Sequence, residues 1–164
     1  MIRKEHLAAA MTRECDIAKH LVTKCGAEAF DYRPSEGQRS TLELMRYLAA
    51  CGIGGIESLA TGDWKAFGRY TARVETMTPA EFPVAMDRQK AEIEAFFAGI
   101  TEEELETRTA RLPAGDPMPL DAAIMGGPLK WLAAYKMQLF LYAKATGAAG
   151  IGTANAWAGI DWRG

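Results

Sequence analysis

Apolar residues recur every three or four positions along four long stretches of the chain, the spacing that puts them on one face of a helix. In the first stretch these are Leu7, Met11, Cys15, Ala18, Val22 and Cys25, which predict a helix from about Arg3 to Cys25. Gly26 is placed to close it, because glycine tolerates the left-handed conformation of a helix end. The second stretch carries Leu42, Met45, Leu48 and Ala49, and is expected to bend or end at Gly52, Gly54 and Gly55. The third turns Phe82, Met86, Ile93 and Phe97 inward and closes near Gly99. The fourth, Leu129 to Ala145, carries Leu132, Tyr135, Leu139 and Tyr142 and stops at Gly147. No stretch alternates with the two-residue rhythm of a half-buried strand.

Polar signals punctuate this pattern. Ser40-Thr41-Leu42-Glu43 and Thr78-Pro79-Ala80-Glu81 read as capping boxes, in which the hydroxyl and the carboxylate each satisfy an end amide. Pro79 falls at the first helical position, where its missing N–H costs nothing, and Pro83 still lies near the first turn. Thr101-Glu102-Glu103-Glu104 repeats the signature and starts one short turn. Residues 27–39, with Pro34 and Gly37, form a loop, and residues 60–77 look irregular or partly helical. Pro113, Gly115, Pro117 and Pro119 mark a long connection. Pro128 either starts the last helix or kinks one begun near Leu120, and the kink is preferred. The tail from Ala148 to Gly164 holds Trp157 and Trp162 and is expected to pack back on the helices. The prediction is an all-α four-helix bundle forming one domain over residues 1–164.

Composition narrows the function classes. Nineteen Lys and Arg face 21 Asp and Glu, for a net charge of −2, and no basic block could follow a phosphate backbone. The reading therefore excludes nucleic acid as a partner. Cys15, Cys25 and Cys51 are an odd set without CxxC spacing, read as reduced, apolar-packing thiols of a cytoplasmic protein. The segment Met1-Ile2-Arg3-Lys4-Glu5-His6 enters the helical pattern without a leader-like apolar run. Nothing reaches the ~20 uncharged apolar residues of a bilayer span, so a membrane is not expected as a partner either.

Two segments together resemble the DinB-like (DinB/YfiT) superfamily of four-helix bundles. Arg33-Pro34-Ser35-Glu36-Gly37-Gln38-Arg39-Ser40, leading into Leu42-Glu43-Leu44-Met45-Arg46-Tyr47-Leu48-Ala49, is similar to its proline-containing loop, capping serine and second helix. Tyr135-Lys136-Met137-Gln138-Leu139, followed by Leu141-Tyr142-Ala143-Lys144-Ala145-Thr146-Gly147, resembles its His-Arg-Gly-Gln-leucine run on helix four. The resemblance spans nearly the whole chain. It implies a divalent metal held by three histidines, one from helix two and two, four residues apart, from helix four. Those positions fall here on Tyr47, Trp131 and Tyr135. Indole has no lone pair to offer a cation, and a phenol with a pKa near ~10 is a poor ligand at neutral pH. The only histidines are His6 and His20, both on helix one. The expectation is a bundle with a degenerate metal site and no cofactor.

Competing roles remain for the residues near that position. Tyr47, Trp131, Tyr135 and Tyr142 either fill the cavity as core or line a pocket for a small apolar ligand, and core filling is preferred. Gln138 is a pocket polar group or a helix-fixing hydrogen bonder. Cys51, one turn after Tyr47, is a pocket-lining residue or a nucleophile only if His20 reaches it as a base, and core packing is the simpler reading. Cys15, His20 and Cys51 are considered as a substitute metal site, against the poor five-residue spacing of Cys15 and His20. Glu102-Glu103-Glu104 is read as an acidic first turn rather than a carboxylate pair. Gly52-Ile53-Gly54-Gly55 follows a helix and lacks the lysine of a phosphate loop. Three functions stay open: a metal-free, non-catalytic binder of a small molecule or protein, a thiol-dependent transferase or isomerase with an unfamiliar site, and a structural homodimer with a closed pocket.

Overall fold

A computed structural model of the chain describes residues 3–162. Met1, Ile2, Arg163 and Gly164, read above as the run into helix one and the end of the tail, lie outside the described residues. The long helices are α1 (Lys4–Val22), α2 (Thr41–Thr61), α4 (Phe82–Gly99) and α7 (Lys130–Ala145). Between them lie the short helices α3 (Lys65–Arg73), α5 (Glu102–Thr107) and α6 (Leu120–Ile124), and α8 (Thr153–Ala158) follows. Helix α1 packs on α4 and α7, and α2 packs on the same two from the other side, which closes the four-helix bundle. No helix among the described residues is long and apolar enough to cross a membrane.

The capping signals act as the sequence implies. Ser40 Oγ accepts from the Glu43 amide at 3.2 Å while Glu43 Oε2 accepts from the Ser40 amide at 2.7 Å. Thr101 and Glu104 repeat this at 3.1 and 3.0 Å. Glu102 is otherwise engaged, accepting from the Lys4 amide at the start of α1 at 3.0 Å. The acidic run therefore caps two helix ends.

Three expectations about helix ends need correction. Helix α1 stops at Val22, and Gly26 is extended (φ −72°, ψ 166°), so it closes nothing and Cys25 lies in the loop. Helix α2 neither bends away nor ends at its glycines; it continues to Thr61 and closes at Gly62 in the left-handed region (φ 71°). The glycines are contact points, because a Cβ on Gly55 would stand 2.7 Å from both Pro128 Cγ and Trp131 Cζ3. One on Gly52 would stand 2.9 Å from Gln89 Oε1. Helix propensity was outweighed here by the close approach of neighbouring helices.

The last helix does begin near Leu120 rather than at Pro128. Helix α6 passes through a π-helical turn, Met125–Leu129, into α7, and Pro128 sits in that turn. The wider turn accommodates a residue that has no N–H to give. The long connection contains a two-residue antiparallel ladder that the pattern did not predict, with Thr109 opposite Pro119 and Ala110 opposite Met118. It is too short to leave a periodic signature.

The buried apolar side chains form one continuous core that includes Phe82, Met86, Ile93 and Phe97 as expected. Leu42 is only half-buried, and Leu44 takes the inward position. The tail packs back as predicted, but through Ile151, Asn155 and Ala156 rather than its tryptophans. Trp157 and Trp162 are 62% and 80% exposed.

Candidate functional site

Trp131 and Tyr135 are four residues apart on α7 and share one face, and Tyr47 meets them from α2. The ring centroids of Tyr47 and Tyr135 are 4.6 Å apart in an edge-on arrangement. Phe67 of α3 and Trp64, the residue just before that helix, complete the wall. Phe67 meets Trp131 edge-on at 6.1 Å and Tyr47 at 6.0 Å, and Trp64 lies 6.3 Å from Trp131. Such arrangements satisfy the ring quadrupoles while keeping apolar surface from water. Sequence reading missed Phe67 and Trp64 because their helix is short and flanked by turns. Gly54 is what admits Phe67 and its helix: a Cβ there would stand 3.2 Å from Tyr70 Cβ and 3.4 Å from Phe67 Cδ2.

Tyr142 does not join this wall. Its ring packs edge-on against Tyr32 at 5.5 Å, and its hydroxyl donates to the Arg39 carbonyl at 3.2 Å. Gln138 Nε2 donates to the same hydroxyl. This relay from α7 fixes the backbone of the 27–40 loop just before the Ser40 cap, and so fixes Arg39. The Arg39 guanidinium lies 4.3 Å from the centroid of Tyr47 and 5.5 Å from that of Tyr135, within the range of a cation–π contact. Beside it opens a cavity of about 450 Å³ lined by Arg33, Glu36, Gly37, Gln38, Arg39, Glu43 and Gln138. Its lining is polar and includes none of the aromatic positions at which an apolar ligand was considered.

Electrostatics in the cavity separate its four charged side chains. Arg33 and Glu43 pair at 2.9 Å. That guanidinium first, and the Ser40 amide next, hold the Glu43 carboxyl below the usual carboxylate range. Arg39 has no carboxylate within ion-pair distance among the described residues, and neither does Glu36 a cation.

A metal does not fit the aromatic wall. Trp131 offers no lone pair, and burial above all pushes the Tyr47 phenol up, further from the phenolate that would ligate. Among the described residues no group of three or more His, Cys, Asp or Glu side chains is placed to hold an ion. The trio of Cys15, His20 and Cys51 does not assemble. His20 turns to the tail, where Asn155 Nδ2 lies 3.0 Å from its Nε2. Cys51 is fully enclosed, so it lines no cavity, and burial pushes its thiol far up. The same cause pushes Cys15 up to about 12. Neither thiol is an activated nucleophile.

Among the buried polar residues that escaped the sequence reading, two bridge helices. Gln89 of α4 reaches into α2, accepting from the Gly52 amide at 2.9 Å and donating to the Leu48 carbonyl at 2.9 Å. Lys136 is 1% exposed; its Nζ donates to the Ala156 carbonyl at 2.8 Å and lies 3.0 Å from Glu14 Oε2. A hydrophobic period cannot flag either, since both occupy inward positions with polar identities.

No family model and no curated protein matches the sequence. Among solved structures, the crystal structure of a DinB-like protein from Bacillus subtilis superposes with a TM-score of 0.71 at 18% identity, covering 90% of this chain and 96% of that one. The resemblance drawn from the loop and the helix-four segment is thus matched at the level of the backbone. The chain has the DinB/YfiT-type fold, and its described residues carry no metal-binding cluster at the position where three aromatic side chains stand.

Proposed function

We propose that this chain is a metal-independent, non-catalytic binder of a small polar molecule, which enters the cavity between the 27–40 loop and α7. The observation that carries the reading is Arg39. Its guanidinium is seated on Tyr47 and Tyr135 and its backbone is fixed by Tyr142, yet it lines an open cavity without a carboxylate partner among the described residues. A pre-positioned charged group costs little ordering entropy when a ligand arrives, which favours binding. No cysteine lines this cavity, and burial pushes the core thiols Cys15 and Cys51 up, so neither serves as a protein nucleophile.

A thermal-shift screen of small polar molecules tests this. A ligand at a hundred times its Kd stabilises by about 2.7 kcal/mol, which in a chain of this size raises Tm by roughly 5–10 °C. The expected stabilisers lose that shift in Gln138→Leu, which removes a cavity-lining amide. A screen in which every shift survives that substitution places binding elsewhere and ends this reading.

A second reading is favoured by the exposed apolar tail. Trp157, Ile160 and Trp162 keep 62%, 55% and 80% of their surface in water, which suits self-association as a homodimer. Light scattering across a hundredfold concentration range is expected to show dimer that Trp162→Ser dissociates. A mass fixed at one chain throughout removes it.

A further inference from the structure

The charges around the cavity narrow what it takes. Of its four ionised side chains, Arg33 and Glu43 neutralise each other at 2.9 Å, and Arg33 Nη1 also donates to the Gln38 carbonyl, which leaves that guanidinium little to give. Arg39 remains with its donors unengaged by any oxygen among the described residues, its Cζ 4.3 Å from the Tyr47 ring centroid. Gln138 spends one amide hydrogen on the Tyr142 hydroxyl and keeps a second. The start of α2 is no competing anion site, because its first amides are already taken. Thr41 N donates to the Tyr32 carbonyl at 2.9 Å, Leu42 N to the Phe30 carbonyl at 3.0 Å, and Glu43 N to Ser40 Oγ at 3.2 Å.

A guanidinium edge matches a carboxylate with two parallel hydrogen bonds, and stacking on a ring holds that edge in one plane. We propose that the cavity takes a small hydrophilic carboxylate, bound in the plane of Arg39 with Gln138 as a further donor. This inference rests on the binding reading above and adds the ligand class. A doubly charged phosphate suits the site less, since Glu36 and Glu43 also line it and repel a second negative charge. Two kinds of small acid share the required group. An amino acid would place its ammonium toward Glu36, the one lining carboxylate without an ion-pair partner among the described residues, whereas a hydroxy acid would leave Glu36 to water.

The test is an amide-resolved NMR titration of the full chain with L-lactate, L-alanine, L-lactamide and inorganic phosphate. Lactate or alanine is expected to shift the amides of Gly37, Gln38, Arg39 and Gln138 saturably. L-lactamide, the neutral isostere, is expected to bind at least tenfold more weakly, as is phosphate. Arg39→Lys should weaken the acid at least tenfold and Arg39→Gln should abolish the shifts, with Tm of both variants near that of the parent. Tighter binding of alanine than lactate, lost in Glu36→Gln, assigns the amino acid; the reverse order assigns the hydroxy acid. Lactamide or phosphate binding as tightly as lactate overturns the carboxylate class while leaving the binding reading standing. Saturation without any shift at these four amides overturns it as well. If the stabilisers found by thermal shift also ignore Gln138→Leu, both readings fall together.

Discussion

Helix α7 presents two faces that solve opposite problems. Toward α2 and α3 it sets Trp131 and Tyr135 into a wall of rings, with Gly55 hollowed to receive the indole. Toward α1 and α8, one residue further on, it buries the Lys136 ammonium between Glu14 and the Ala156 carbonyl, with the Trp157 ring 4.9 Å away. The ring face is apolar packing, which tolerates shape changes gradually. The lysine face is a desolvated charge, which is stable only while its partners stay in place. Glu14 Oε2 sits at 3.0 Å yet off the line of a hydrogen bond, so the pair is held by charge and has little geometric slack. The same helix therefore carries a forgiving face at the ring wall and an unforgiving one under the tail.

Substitutions should separate the two faces, and the largest effect is expected under the tail. Lys136→Ala leaves Glu14 without its partner and α8 without the donor to Ala156, at a cost of about 3 kcal/mol, the low end for a broken buried pair because the Glu14 side chain keeps 17% of its surface exposed. The double change Lys136→Met, Glu14→Leu should recover most of that, as urea unfolding would show; a double variant as unstable as the single one contradicts the charge argument. On the ring face, Trp131→Ala should cost about 2–3 kcal/mol, less than a fully enclosed ring because the indole is half-buried. Gly55→Ala forces a methyl against Pro128 and Trp131 and should cost about 1–2 kcal/mol, only partly relieved when combined with Trp131→Ala because Pro128 remains in contact.

The smallest effect is a pH dependence of tail docking through His20. Asn155 Oδ1 accepts from the Gly152 amide at 2.8 Å and its Nδ2 donates to Asp161 Oδ1 at 3.0 Å, so its orientation is set and His20 Nε2 must accept. Burial first, then Lys24, holds the imidazole below its ordinary pKa of 6.5, against the opposing pull of Asp161. Because the folded value is the lower one, the contribution is complete above 6.5 and is lost as the pH falls through the folded pKa. Comparing Tm between pH 8 and pH 5 for the parent and His20→Gln should show a steeper loss in the parent. Parallel curves would mean the imidazole takes no part.

Most of the bundle was legible because long amphipathic periods and capping boxes report helices directly. Phe82, Met86, Ile93 and Phe97 fixed α4, and Ser40 with Glu43 fixed the start of α2. What the pattern misjudged were residues whose role lies in a neighbour. Gly52 and Gly55 look like helix breakers until Gln89, Pro128 and Trp131 occupy the space they leave. That Tyr47, Trp131 and Tyr135 cannot ligate as imidazoles would was readable from identity alone. That Phe67 and Trp64 complete the wall, that Tyr142 leaves it for Tyr32, and that Arg39 lies across it were not, since each depends on a loop or short helix without periodicity.

The central claim is that the wall built by Tyr47, Trp131 and Tyr135 does not hold a metal ion. Metal analysis of untagged protein, expressed with zinc, nickel and manganese supplied and then dialysed, tests it most directly. Well below one equivalent of any of these metals per chain is the expected result. One equivalent that survives dialysis and disappears in Tyr47→Phe combined with Tyr135→Phe would contradict it.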